Sequence, residues 1–162
     1  MLAAFAGRVP YQVAFVVRDL ERAVHDLDAL VGAGPWRGYV FDPEMTEGLE
    51  YHGRRADWSA RVALNDHRPQ YELIEPLVGP NIYSDWLDAH GEGLHHVGYV
   101  VASIHEATAQ MTAAGHPVIQ RGHSFGADRD GAFAYFDTAE ALGCILEAVE
   151  PPDRMPDPSF TL

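Results

Sequence analysis

The chain has 162 residues, 47% hydrophobic and 22% charged, a composition that describes one ordinary globular domain or two small fused modules. Twenty-four acidic against 11 basic residues leave a net charge of -13, a field that repels nucleic acid and anionic membrane surfaces. All 11 basic residues are arginine, which excludes lysine Schiff-base and P-loop chemistry, and the lone Cys144 excludes an internal disulfide or a multi-thiolate zinc site.

Taken in chain order, the β-branched and aromatic run Tyr11–Val17 predicts a strand. Asp19 then caps a helix that carries Leu20, Ala23, Val24, Leu27 and Val31 on one stripe. Three further strands are expected at 38–42, 58–64 and 71–76. The polar, Gly- and Pro-punctuated segment 79–93 reads as a connector with a short helix around Tyr83–Ala89. A strand follows at 95–101, and Ser103 with Glu106 has capping-box spacing before a stripe of Ile104, Ala107, Met111 and Ala114, which Gly115 stops. The last strands are expected at 117–122, 132–137 and 144–149, before a proline-rich tail over 152–162, extended or disordered. The apolar run Val13–Val17 is far short of the roughly 20 residues that span a bilayer, and the first ten residues lack a signal-peptide pattern, so a cytoplasmic protein is expected.

The order β-α-β-β-β occurs twice, and the two halves echo each other in sequence. Residues 11–29 lie over 95–113 at a constant offset of 84 (95 − 11), with Val13, Val16, Val17, Ala23 and Ala29 matching Val97, Val100, Val101, Ala107 and Ala113. Downstream, YELIEP (71–76) lies over LEAVEP (146–151) at an offset of 75 (146 − 71), so the first copy is nine residues longer between its landmarks. The expected architecture is α+β. Two tandem βαβββ modules, at about 9–78 and 94–151, form a single domain over 1–162 whose sheets join into a curved, partly open barrel.

Side chains alternate across a strand, so parity decides which residues share a face. In the strand 95–101, His95, Val97, Tyr99 and Val101 fall on one face and are expected under the helix, which leaves His96 facing the cavity. The repeat places Gln12 at the position equivalent to His96, and Glu72 at the position equivalent to Glu147. A pseudo-twofold junction of the modules therefore brings Gln12, Glu72, His96 and Glu147 together. One amide oxygen, one imidazole and two carboxylates make a mixed N/O set for one divalent ion, Zn, Ni, Co, Mn or Fe(II), with open positions left for water or substrate. A cation also accounts for acidic groups on a cavity face, where an uncompensated carboxylate costs several kcal/mol.

This double plan and these four positions resemble the vicinal oxygen chelate superfamily, which includes glyoxalase I, methylmalonyl-CoA epimerase, extradiol dioxygenases and bleomycin-binding proteins. The stretches ELIEPL and GLHHVGYVV are similar to strands of methylmalonyl-CoA epimerase, and the Gln12/Glu72/His96/Glu147 set is similar to the Gln/Glu/His/Glu set of zinc-type glyoxalase I. GCILE (143–147) keeps the Gly-to-Glu spacing of the last glyoxalase strand. The resemblance implies a metal-dependent isomerase, epimerase or lyase that chelates neighbouring oxygens of a small carbonyl substrate and moves a proton through an enediolate or enolate, with Glu147 as the base. It also implies a homodimer. The positions where glyoxalase I holds glutathione are Val16, Pro76 and Glu92 here, which argues against that substrate. The second carboxylate of methylmalonyl-CoA epimerase falls at Ala60 or Arg61. Arg61 and Tyr135 are candidates for the substrate pocket. The rival readings are a metal-free protein that sequesters a small apolar or aromatic molecule and, with one histidine in the set arguing against it, an Fe(II) ring-cleaving dioxygenase.

Overall fold

A computed structural model describes residues 2–162. Helix α1 (Leu20–Val31) starts where Asp19, in extended geometry, accepts a hydrogen bond from the Arg22 amide, and it stops at Gly32 in the left-handed conformation. Helix α3 (Ile104–Ala113) starts in the same way, with Ser103 accepting from the Glu106 amide. Between them the connector contains α2 (Ile82–His90), capped by Asn81. A single turn, α4 (Ala139–Leu142), precedes the last strand.

The strands are β1 (Gln12–Val16), β2 (Trp36–Phe41), β3 (Glu47–Tyr51), β4 (Arg54–Arg55), β5 (Ser59–Asn65), β6 (Gln70–Val78), β7 (Gly93–Val100), β8 (Val118–Phe125), β9 (Gly131–Phe136) and β10 (Ile145–Glu150). All ten form one mixed sheet in the order β2-β5-β6-β1-β7-β10-β9-β8-β3-β4. The module junction is the antiparallel pair β1/β7, flanked symmetrically by the parallel pairs β1/β6 and β7/β10. This is the two-module α+β plan expected from the repeat.

The sheet curls until Phe41 on β2 and Phe125 on β8 touch, with ring centroids 5.7 Å apart. On its convex side α1 packs Leu20 against Val17, Ala63 and Leu73, and α3 packs Ala107 and Met111 against Ala134 and Phe136. The connector helix instead sits on the concave side, where Ile82, Tyr83 and Leu87 join Val16, Ile74 and Tyr135 in the largest apolar cluster. That leaves part of the cup filled by α2 and part of it open.

The hairpin β3/β4 was not among the predicted strands. It lies in the interval where the first copy is the longer, and it turns at His52 and Gly53, both with positive φ. It pairs with β8 of the second module rather than with its own, so the second module's half of the sheet ends in two strands from the first. The tail is extended and tied down. Ala127 N–H donates to the Arg154 carbonyl (2.8 Å), Ser159 N–H donates to the Gly38 carbonyl (2.8 Å), and Phe160 bridges to Gly38 on the free edge of β2.

Candidate metal and substrate site

The floor of the open half of the cup lies on the four central strands. Register fixes the neighbours: Gln12 and Glu147 each face Gly98, and Ala14 faces both Glu72 and His96. From His96 Nε2, Glu72 Oε2 is 3.1 Å away, Glu147 Oε2 3.4 Å and Gln12 Oε1 3.4 Å. All four side chains are buried, with His96 completely so. The structure thus brings Gln12, Glu72, His96 and Glu147 to one point.

Each donor is held by its neighbours. Gln12 Nε2 donates to Gln70 Oε1 (3.0 Å), and Gln70 donates to the Asn65 carbonyl (2.8 Å), so the Gln12 oxygen is turned toward His96. Gly98 leaves the space between Gln12 and Glu147 open: a Cβ there would stand 2.7 Å from Glu147 Oε2 and 3.2 Å from Gln12 Cβ. Behind His96, its Nδ1 lies 2.9 Å from Nδ1 of His95, and one of the two must donate to the other.

His95 departs from the parity reading. Val97 faces Val13 and His96 faces Ala14, but Phe15 faces Leu94, so His95 is the extra residue of a β-bulge. The bulge resets the alternation and turns His95 away from the convex helix. It packs instead against α2, its ring 5.2 Å from Tyr83 and 5.3 Å from Trp86.

The electrostatics follow from burial and proximity. Burial raises the Glu72 carboxyl above its ordinary range, with the His96 imidazole pulling the other way. Burial pulls His96 down, but the Glu147 and Glu72 carboxylates outweigh it and push the imidazole up to about 9. Burial drives His95 well below the ordinary histidine range, so it is neutral. Tyr135 lies edge-on to His96, ring centroids 4.9 Å apart, and its hydroxyl accepts from Tyr83 (3.1 Å). Burial first, and Glu147 next, keep that phenol well above its ordinary range and so protonated.

The donor set suits a divalent ion. Glu72 Oε2 and Glu147 Oε2 are buried without a directed hydrogen bond, although both lie within 3.4 Å of His96 Nε2. Separations of 3.1–3.4 Å also match the spacing of adjacent ligands at bond lengths of about 2.1 Å, roughly 3.0 Å for an octahedron and 3.4 Å for a tetrahedron. Among the described residues no group of three or more His, Cys, Asp and Glu side chains stands ready to hold an ion. The carboxylates close on the imidazole, and a side-chain rotation is needed to open a shared centre. Protonated His96 compensates only one of the two carboxylates, a divalent ion compensates both, and carboxylate torsions open the centre at little cost.

Above this floor opens a cavity of about 110 Å3, which widens to about 720 Å3 when its solvent-open mouth is counted. Its walls are aromatic and aliphatic, with Phe41, Trp58, Val62, Phe125 and Phe133 among them, and Tyr135 lines it as expected from the sequence. Ala60, one of the two positions where the resemblance puts a second carboxylate, lines the cavity. Arg61 does not line the cavity. Alternation along β5 turns it to the convex side, where it pairs with Glu21 and with Glu75 (2.8 Å) and lies 4.5 Å from the Phe160 ring centroid. Three contributors had no sequence signal strong enough to be chosen: Gly98, whose role is an absent side chain, Gln70, which aims Gln12, and His95, which parity misplaced. Among the described residues no helix is long and apolar enough to cross a membrane.

Comparison with known proteins places the chain in a family. A methylmalonyl-CoA epimerase structure in complex with methylmalonyl-CoA and NH4+ superposes with a TM-score of 0.58 at 17% identity, covering 92% of this chain and 99% of that one. The Mycobacterium tuberculosis methylmalonyl-CoA epimerase gives 0.58 at 15% identity, covering 94% and 93%, and a hypothetical protein from Bacillus halodurans C-125 gives 0.61 at 17%, covering 93% and 99%. At these identities the likeness is one of fold. No curated protein sequence matches the chain significantly. The model of the Glyoxalase/Bleomycin resistance protein/Dioxygenase superfamily matches residues 11–136, and the chain belongs to that superfamily.

Proposed function

We propose that the protein is a metal-dependent isomerase or epimerase that moves a proton on the carbon next to a carbonyl. The observation that carries this reading is the convergence of Gln12, Glu72, His96 and Glu147 at the floor of an otherwise apolar cavity. Structural likeness to epimerases supports the reaction class.

Gln12, Glu72 and His96 would hold a divalent ion, with Glu147 at its edge. A bound ion supplies Lewis acidity to neighbouring substrate oxygens, lowering the cost of negative charge on the carbonyl oxygen. Glu147 takes the proton. The C–H bond breaks, its electron pair moves into a carbon–carbon double bond, and the carbonyl π electrons move to oxygen as an enolate. For an α-hydroxy carbonyl, return of that proton from Glu147 to the former carbonyl carbon, with the α-hydroxyl proton passing to the enolate oxygen, completes a 1,2-isomerisation. Tyr135, protonated and bordering the cavity, is placed to donate to a developing oxyanion. With Ala60 on the opposite wall, proton transfer rests on one carboxylate.

The test is metal content together with proton exchange in D2O, using methylmalonyl-CoA and 2-hydroxy-1-phenylethanone as probes. Wild type is expected to carry about one zinc per chain after reconstitution and to exchange a probe's α-proton. Glu147→Gln keeps zinc and loses exchange by a factor of about 100 or more. Undiminished exchange in Glu147→Gln overturns its role as base.

A further inference from the structure

The cavity wall also bears on the class of molecule it receives, and this step rests on the carbonyl-substrate reading above. Among the described residues Glu72 and Glu147 are the only carboxylates that line the cavity, both at its floor, and no arginine lines it. The chain has no lysine. Arginines on the flanking elements are paired elsewhere: Arg154 with Asp128, Arg129 with Glu47 and three main-chain carbonyls, and Arg61, on the convex side, with Glu21 and Glu75. Arg68 lies over the Tyr11 ring, 5.0 Å from its centroid, and lines a neighbouring groove rather than the cavity.

A divalent ion held by two carboxylates leaves the floor with no net charge. A substrate carboxylate would therefore give up its hydration against an apolar wall where the ion is the one positive charge, already balanced by Glu72 and Glu147. The chain's net charge of -13 adds long-range repulsion. The mouth narrows the choice further. Pro151, Pro152 and Met155 form part of it, and this stretch is fastened by the Ala127 N–H to Arg154 carbonyl bond and by Asp153 N–H donating to Asp130 (3.0 Å). The guanidinium on that stretch, Arg154, is already paired with Asp128, and Asp130 and Asp153 stand beside it, so an extended polyanionic thioester tail meets more acid than base there.

What the wall does offer is ring surface. Phe41, Trp58, Tyr83, Phe125, Phe133 and Tyr135 form a continuous aromatic lining in which Trp58 stands 5.7 Å from Tyr83 and 6.3 Å from Phe133. The Trp58 indole N–H is buried without an acceptor, a neutral donor for a neutral oxygen. We infer that the ligand of this cavity is a compact, uncharged, ring-bearing carbonyl compound with two neighbouring oxygens, not an acyl-CoA or a free carboxylic acid.

Calorimetric titration of the zinc-loaded and the metal-stripped protein tests this with three probes: 2-hydroxy-1-phenylethanone, phenylglyoxylate, and methylmalonyl-CoA. The first two share a ring and neighbouring oxygens and differ in charge. The neutral ketone is expected to bind at least tenfold more tightly than phenylglyoxylate in both forms, with methyl chemical-shift changes centred on Val62 and Val149. Equal or tighter binding of phenylglyoxylate or of methylmalonyl-CoA overturns the inference, as does a shift pattern centred away from those two residues. Selective binding of the ketone without exchange of its α-protons leaves the ligand class standing and sinks the proton-transfer function.

Discussion

His96 is useful at this site only in one tautomer. For Nε2 to present a lone pair to a metal ion, Nδ1 must carry the proton and find an acceptor, and the sole partner within reach is Nδ1 of His95 at 2.9 Å. Burial keeps His95 neutral, which preserves its acceptor lone pair. His95 is therefore a positioning residue. Replacing it by Leu removes the acceptor and strands a buried N–H, at a cost of about 1–3 kcal/mol in stability and 10–100-fold in zinc affinity. His95→Asn, whose carbonyl oxygen can take the same proton, should recover part of the affinity in a competitive-chelator titration. Equal affinity in wild type and the Leu variant would remove His95 from the site. Gly98 makes a complementary case. Its φ is ordinary, so Gly98→Ala leaves the backbone unstrained, but the added methyl meets Glu147 Oε2 at 2.7 Å. The expected result is a melting temperature within a few degrees of wild type and at least a tenfold loss of proton exchange. Four of the site positions were legible because strand alternation and the repeat are local regularities. His95 was not, because one inserted residue in the β7 register reverses alternation and leaves no mark in composition.

At the level of elements, the strands, both convex helices and the connector helix follow from caps, stripes and β-branched runs that lie within a few residues of one another. The β3/β4 hairpin does not, because its partner is β8, some seventy residues away, and its own sequence is polar and short. Long-range pairing of this kind is decided by the closure of the sheet. Arg61 belongs to the same lesson. Alternation along β5 is strict, with Ala60, Val62 and Leu64 lining the cavity and Arg61 opposite them, so the parity rule applied to this strand would have excluded it from the pocket. It ties three elements together instead: Glu21 of α1, Glu75 of β6 and Phe160 of the tail. Arg61→Ala should lower stability by about 1 kcal/mol, from one partly screened ion-pair network and one cation–π contact, while the KM for any exchanged substrate stays within twofold of wild type. A large KM change with unaltered stability would return Arg61 to the substrate.

For the molecule as a whole, the open question of a half-barrel is what keeps its mouth from splaying. Phe41 against Phe125 joins β2 to β8 at one point, and the tail supplies a second tie. It leaves β10 in the second module and contributes Pro151, Pro152 and Met155 to the cavity mouth. It then reaches the free edge of β2 in the first module, where Ser159 N–H bonds to Gly38 and Phe160 packs on the face that this glycine leaves bare. Gly38 is needed there, since a Cβ would overlap the Phe160 ring. The tail thus works as a strap across both modules, anchored at its far end by few contacts. Removing Ser159–Leu162 should release that anchor without touching the cavity floor. Hydrogen exchange should then speed up in the Gly38–Val40 edge and at the amides of Asp153–Met155, while β7 and β10 keep their protection, because their bonds lie within the sheet centre. Unchanged exchange at Asp153–Met155 would mean that the mouth is held by the Gly126–Asp130 loop alone, through Ala127 and Asp130, and that the strap's end carries no share of it.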